Sequence, residues 1–297
     1  MVKEFDGSNW NQFYMNLKRS NLTWLLLPAL AVIAAICGVA TNEANTLTAE
    51  EKAAGWRLLW DGQTFTGWRG VKSPEFPAKA WLIHGGILTA RSRGAAEDEV
   101  GEDIITREQY SDFEMVADFK LTDGANSGLK YFVRSNWDPV AGHRKESGFG
   151  LTIGYEFQIL DDARHPDAKL GRDGNRTLGA LYDLIPPATN KPVHALGRWN
   201  TARIVARGGH VEHWLNGRKI IEFERGSPAF REAVAASKFN RLPDFASWSE
   251  GCLLLQDHGG EVSFRNLKIR PLAPPPAVST DKVISQARRE TPVAQIK

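Results

Sequence analysis

The chain has 297 residues, 42% of them apolar and 24% charged, with a formal net charge of +2 and two cysteines. Such a composition builds folded protein, as one large domain or two small ones, and excludes a chain disordered throughout. Near-balanced charge excludes a strong pull toward nucleic acid or an anionic membrane, and two cysteines are too few for a disulfide framework or a cysteine zinc cluster.

The chain begins with Lys18-Arg19 ahead of an apolar run, Leu22 to Ala40, broken only by Thr23, Pro28 and Gly38. With small residues at its end, the segment 1–41 reads as a signal peptide or membrane anchor. Export to the periplasm or beyond is therefore expected, with the membrane touched only through this segment. Cys37 follows bulky Ile36, which speaks against lipoprotein processing. Residues 42–55 read as a polar linker with a short helix.

From Trp56 to Leu272 short alternating or apolar segments are separated by Gly, Asn, Asp and Pro, the rhythm of an all-β domain. Strands are expected at Trp81 to Ala90, Phe113 to Leu121, Gly128 to Arg134, Tyr155 to Leu160, Asn200 to Ala206, His210 to Leu215, Cys252 to Asp257 and Val262 to Pro271. Phe113 to Leu121 alternates apolar and polar almost without fault, as a half-buried antiparallel strand does. Asn216-Gly217 between apolar runs predicts a tight hairpin, and Phe230 to Ser237 is the best helical stretch. Many strands joined by some long connections point to a two-sheet jelly-roll sandwich over residues 56–272. Residues 273–297, with Pro274-Pro275-Pro276, read as an extended, disordered tail. The ten tryptophans fit either sugar-stacking platforms or core filling.

Three segments carry candidate chemistry. In Gly154 to Asp161, alternation places Glu156, Gln158 and Leu160 on one face and Tyr155, Phe157 and Ile159 on the other, so an acid and an amide share a sheet face. In Asn126 to Arg134, counting by twos groups Lys130, Phe132 and Arg134. If the two strands are neighbours, their polar residues form one floor able to grip hydroxyls. In Leu253 to Gly260, Gln256 and His258 share a face at a strand end beside glycine, where backbone and ligand approach closely. His213, next to Trp214, fits packing better, and Glu114 and Asp118 read as a solvent stripe. The loop from Asp161 to Asp183 is rich in carboxylates but lacks regular calcium-loop spacing, so metal ligands stay unassigned and a divalent ion stays an option. Phosphate-binding glycine loops, serine-nucleophile elbows and zinc-histidine motifs are absent from the sequence.

Trp60-Asp61-Gly62-Gln63-x-Phe65-x-Gly67-Trp68, Asp103-Ile104-Ile105-Thr106, Tyr110-x-Asp112-Phe113-Glu114, Asn126-Ser127-Gly128 and Gly154-Tyr155-Glu156-x-Gln158-Ile159-Leu160-Asp161 occur in order. They are followed by Gly179-Ala180-Leu181-Tyr182-Asp183, His213-Trp214-Leu215-Asn216-Gly217, Leu255-Gln256-x-His258-Gly259 and Phe264-Arg265-Asn266. As an ordered set these closely resemble the 3-keto-disaccharide hydrolase family. The resemblance implies a concanavalin A-like, laminin-G-like sandwich acting on sugars already oxidised to a ketone at carbon 3. It also implies cleavage by proton abstraction beside the ketone, β-elimination and hydration. By motif position it implies catalytic roles for Glu156, His258 and Lys130, with Asn126, Arg134, Gln158, Asp161, Tyr182 and Gln256 binding substrate. Base and acid are not divided between Glu156 and His258 at this point. No cofactor is implied, whereas a separate sugar 3-oxidase is, to supply the substrate. The alternative is a non-catalytic carbohydrate-binding module, because fold does not fix function. Departures from the family are an acidic stretch, Ala95 to Glu102, and Gly85-Gly86 before Ile87.

Overall fold

The computed structural model describes residues 43–92, 101–135, 152–242 and 245–274, with the backbone of 137–138 and 143–144. The expected leader, most of the acidic stretch and the tail beyond residue 274 lie outside the described residues. No described helix is long and apolar enough to cross a membrane. The described residues from Glu43 onward form one compact unit.

In chain order the strands are β1 (Arg57–Leu58), β2 (Trp68–Gly70), β3 (Trp81–His84), β4 (Ile87–Ala90), β5 (Ile104–Thr106), β6 (Phe113–Leu121), β7 (Asn126–Ser135) and β8 (Trp137–Asp138). They continue as β9 (His143–Arg144), β10 (Thr152–Leu160), β11 (Asn200–Arg207), β12 (His210–Leu215), β13 (Arg218–Glu224), β14 (Cys252–Leu255) and β15 (Val262–Pro271). Helix α1 (Ala49–Ala53) precedes β1, and α2 (Pro228–Ala235) follows β13. One sheet runs β13-β12-β11-β6-β15-β4-β3 with β1 also paired to β15, and the second runs β10-β7-β14-β5-β2. All strand pairings among the described residues are antiparallel. The expected two-sheet sandwich is the observed one.

Its core follows from alternation. Phe113, Met115, Ala117, Phe119 and Leu121 of β6 turn inward and are almost fully buried, as are Tyr155, Phe157 and Ile159 of β10 from the opposite sheet. Tyr155 lies edge-on to Phe132, Phe223, Phe230 and Phe245, so one ring joins both sheets and α2. Burying each such side chain stabilises the fold by roughly 1.5–3 kcal/mol. Trp60, Trp68 and Trp81 fill this core, whereas Trp56, Trp199 and Trp214 are half-exposed and carry Arg270, Arg265 and Arg203 on their rings. These six tryptophans thus divide between core filling and cation stacking.

Three expectations need correction. Trp81 to Ala90 is two strands, because Gly85 and Gly86 adopt φ of +56° and +72° and fold the chain back as a hairpin. The short helix expected before the domain is α1, and the described residues around it are pinned to β15: Asn45 and Asn266 exchange backbone-to-side-chain hydrogen bonds of 2.7 and 2.8 Å, and Glu51 of α1 pairs with Lys268. Glu114 is not a solvated stripe residue; it is 5% exposed and holds Arg203 and Arg270. Finally, Phe132 does not share a face with Lys130 and Arg134. Its backbone is left-handed (φ +51°), and an extra β7 residue stands between the Arg134–Ile153 and Tyr131–Tyr155 pairs. This bulge sends both Tyr131 and Phe132 into the core and shifts the alternation of every later β7 residue by one.

Candidate active site

The five-stranded sheet turns one face to the core and carries polar side chains on the other. Cross-strand register sets their positions: Glu156 of β10 lies opposite Lys130 of β7, which lies opposite Leu254 of β14. The next row begins with Gln158 opposite Gly128, whose carbonyl accepts from the Gln256 N–H at 3.0 Å. Gly128 supplies a gap in the floor, and Glu156 occupies it. A Cβ on Gly128 would stand 2.2 Å from Glu156 Oε1. Lys130 Nζ lies 3.6 Å from Glu156 Oε2, and both side chains are largely buried.

Asp103, just before β5, completes the charged centre. Its Oδ1 accepts the Asp257 N–H at 2.8 Å, and the Asp257 carboxylate accepts from the Glu102 and Gly259 N–H groups. Burial is the main reason the Asp103 carboxyl is pushed up to about 6, with Lys130 working against the rise and Glu156 adding to it. Burial also disfavours the Lys130 ammonium, but the charges of Glu156 and Asp103 outweigh it and hold the Lys130 pKa above the ordinary lysine value. Lys130 is therefore a cation paired with Glu156 and further favoured by the charge of Asp103.

Loops build the walls. The segment after β10 folds back so that Gly179 and Tyr182 donate to the carbonyls of Gln158 and Glu156 at 2.8 and 3.0 Å. Tyr182 thereby stands beside Glu156. Its hydroxyl donates to Asp167 Oδ2 at 2.8 Å, and Arg176 bridges Asp167 and Asp183 at 2.9 and 2.6 Å. Burial first, and the Asp167 bond second, raise the Tyr182 pKa far above the ordinary phenol. Lys238 hangs its amine 4.2 Å over the Tyr182 ring. With Lys130, Glu156, Phe239 and Leu242 it lines a cavity of about 280 Å³.

The residues singled out in the sequence fall into three groups. Glu156, Lys130, Gln158 and Gln256 share the polar face, as does Asn126, which is 5% exposed with its side-chain oxygen unpaired among the described residues. The Gln158 oxygen folds back onto the Ile159 N–H at 3.0 Å. His258 lies beyond Gln256, with its ring 6.2 Å from that of His165, and Tyr182 forms a wall. Asp161 and Arg134 stand apart. The Asp161 carboxylate accepts from the Gly124 and Ala163 N–H groups and from Arg164, a loop-fixing role, and Arg134 is exposed beyond the β7 bulge. Likewise Asp162 holds Leu178 N–H and Lys191, so each of the four carboxylates at 161, 162, 167 and 183 engages protein donors. Among the described residues the one cluster with metal-ligand spacing is His210, Glu212 and Glu222, on the β12–β13 hairpin, and Lys219 is paired with both glutamates there.

His213 is fully buried and links the sheets. Its Nδ1 donates to the Gly179 carbonyl at 3.1 Å, so the neutral ring accepts from the Tyr131 hydroxyl at Nε2, 2.8 Å away. Burial pushes its pKa down to about 4. It supports the Tyr182 loop from beneath.

Sequence reasoning missed Asp103, His165 and Lys238 as site residues. The first two lay inside noted motifs without being singled out, and Lys238 sits in a short turn, Lys238–Arg241, with no local pattern.

The geometry has a counterpart among known proteins. Residues 55–270 match the family described as 3-keto-alpha-glucoside-1,2-lyase-like domain. A 3-keto-disaccharide hydrolase of Bacteroides thetaiotaomicron is 34% identical over 248 residues, 77% of this chain and 83% of that protein. Two crystal structures from Parabacteroides distasonis, both of proteins designated candidate glycosyl hydrolases, share the fold. One is 31% identical with a TM-score of 0.64 and covers 77% of this chain and 100% of its own; the other is 25% identical with a TM-score of 0.52 and covers 73% and 99%. A sandwich that carries the ordered motifs on one polar sheet face, matched over most of its length, belongs to the 3-keto-alpha-glucoside-1,2-lyase-like family.

Proposed function

We propose that this protein cleaves the glycosidic bond of 3-keto-disaccharides by taking the proton beside the ketone, expelling the aglycone and adding water. The observation that carries the reading is the Glu156–Lys130 pair, set over the gap at Gly128 with Asp103 behind it.

A carbonyl at carbon 3 acidifies the carbon-2 proton, so a positioned carboxylate is base enough to remove it. Glu156 takes that role. Negative charge then gathers on the carbonyl oxygen, and Lys130, kept charged by two acids, is the group to meet it. As the carbon-1 to oxygen bond breaks, the electron pair from carbon 2 becomes the new double bond, and water later adds across it. Gln158, Gln256, Asn126 and His258 extend the polar face along which sugar hydroxyls lie.

Turnover in D2O tests the route. Elimination and hydration put one deuterium at carbon 2 of the released sugar, above the level in free 3-keto sugar incubated alone. Direct displacement at carbon 1 leaves carbon 2 unlabelled and contradicts the reading.

A non-catalytic binding module needs no such base and cation pair, and the 34% identical relative is itself a hydrolase. The substrate requires a separate enzyme that oxidises the carbon-3 hydroxyl. With 1–41 read as a leader, the reaction is assigned outside the cytoplasm; N-terminal sequencing of exported protein checks this, and protein retained in the cytoplasm with residue 1 intact contradicts it.

A further inference from the structure

The cavity holds two amines in different settings. Lys130 is paired with Glu156 at 3.6 Å and also feels the charge of Asp103, whereas the Lys238 amine has the faces of Tyr182 and Phe239, at 4.2 and 5.4 Å to the ring centres, and no carboxylate within ion-pair distance among the described residues. Its backbone is fixed independently, because the Lys238 N–H donates to Asp183 Oδ2 at 2.7 Å, so the side chain is held at the cavity wall by an anchor that does not involve the amine. The charged groups around it are Glu156 from β10, Lys130 from β7, and Arg176 and Asp183 from the loop. Other proton donors are tied up or elsewhere. The Tyr182 hydroxyl is engaged by Asp167, and His258 is not among the described residues lining this cavity.

Building on the elimination reading above, we propose that Lys238 is a further catalytic residue, the acid that protonates the departing aglycone oxygen. Burial above all, with Lys130 and Arg176 adding to it and Glu156 and Asp183 opposing, holds its pKa below the ordinary lysine value. An amine so placed gives up a proton more readily than an exposed lysine and regains it in each cycle. The balance closes. Glu156 takes the carbon-2 proton, the Lys238 ammonium gives one to the leaving oxygen, and the aglycone departs as an alcohol. In hydration, neutral Lys238 takes a proton from the water attacking carbon 1, and Glu156, whose carboxyl proton has exchanged with solvent, delivers a proton to carbon 2, which restores both groups.

The test is leaving-group dependence in the full chain. Lys238→Met is expected to lower kcat/KM on 3-keto-trehalose by about 10²–10⁴-fold, while staying within about tenfold of the unsubstituted protein on a 3-keto nitrophenyl glucoside, whose phenolate leaves without a proton. Lys238→Arg, which keeps the charge but donates poorly, should show the same split. An equal loss on both substrates would overturn the acid role and leave the elimination reading standing. Failure of the unsubstituted protein on both substrates would overturn both together.

Discussion

At the scale of the residue, Gly128 matters through what it lacks, since the Glu156 carboxylate occupies the space a side chain would fill. Gly128→Ala should displace the flexible carboxylate rather than the sheet. Turnover is expected to fall on the order of 10²-fold with little change in Tm, as for other small misplacements of a reacting group. Unchanged turnover would show that Glu156 is not the base. Asp103 makes a second prediction. Its pKa of about 6 means that it protonates as the pH falls through that value, which leaves Lys130 to Glu156 alone and draws the base into its ion pair. An acid limb in kcat/KM with a midpoint near 6 is therefore expected, and Asp103→Asn should remove that limb. A limb that survives the substitution assigns it to another group. Alternation in β10 made Glu156 and Gln158 readable in the sequence, but the role of Gly128 was not, because a missing side chain signals only a turn until the carboxylate above it is seen.

At the scale of the element, the β7 bulge decides which residues reach the site. Two glycines make room for it from both sides. A Cβ on Gly251 would fall 2.4 Å from the Phe132 carbonyl carbon, and one on Gly154 would fall 2.8 Å from the Tyr131 oxygen. Because those atoms are backbone, alanine at either position should destabilise the fold, on the order of 1–3 kcal/mol by chemical denaturation. Stability unchanged in both variants would mean that the bulge relaxes freely. Regular strands were legible from their patterns: β6, β12 and β15 have the bounds that alternation assigns, and the Asn216-Gly217 hairpin turns with positive φ at both residues. The bulge was not legible, since nothing in the composition around Phe132 marks a left-handed aromatic residue. That one residue also displaced Arg134 from the face assigned to it.

At the scale of the molecule, the site is assembled from segments around residues 103, 130, 156 and 238 that meet only in the folded sandwich. Register between distant strands created the Glu156–Lys130 pair, so its members could be named from motifs whereas Asp103 and Lys238 could not. His213 couples this assembly to pH. Its pKa falls from 6.5 to about 4 on folding, so between those values the unfolded chain binds more protons, and stability drops as the pH falls. The loss amounts to roughly 3 kcal/mol by pH 4. Asp103 acts oppositely, since its raised pKa makes the folded state the better proton binder between about 4 and 6. Comparison with His213→Gln isolates the histidine. The variant should lose the fall in stability between pH 6.5 and 4 and keep only the opposite trend of Asp103, and an unchanged profile would assign the fall elsewhere.

If the polar face of the five-stranded sheet cleaves keto sugars, the protein incubated with a 3-keto-disaccharide releases the aglycone, and the first measurement is that release, with Glu156→Gln and an EDTA arm alongside. Release by the unsubstituted protein and a loss of about 10²–10⁴-fold in the variant are expected. Substrate that binds and stays intact, with and without EDTA, would contradict that reading of the face.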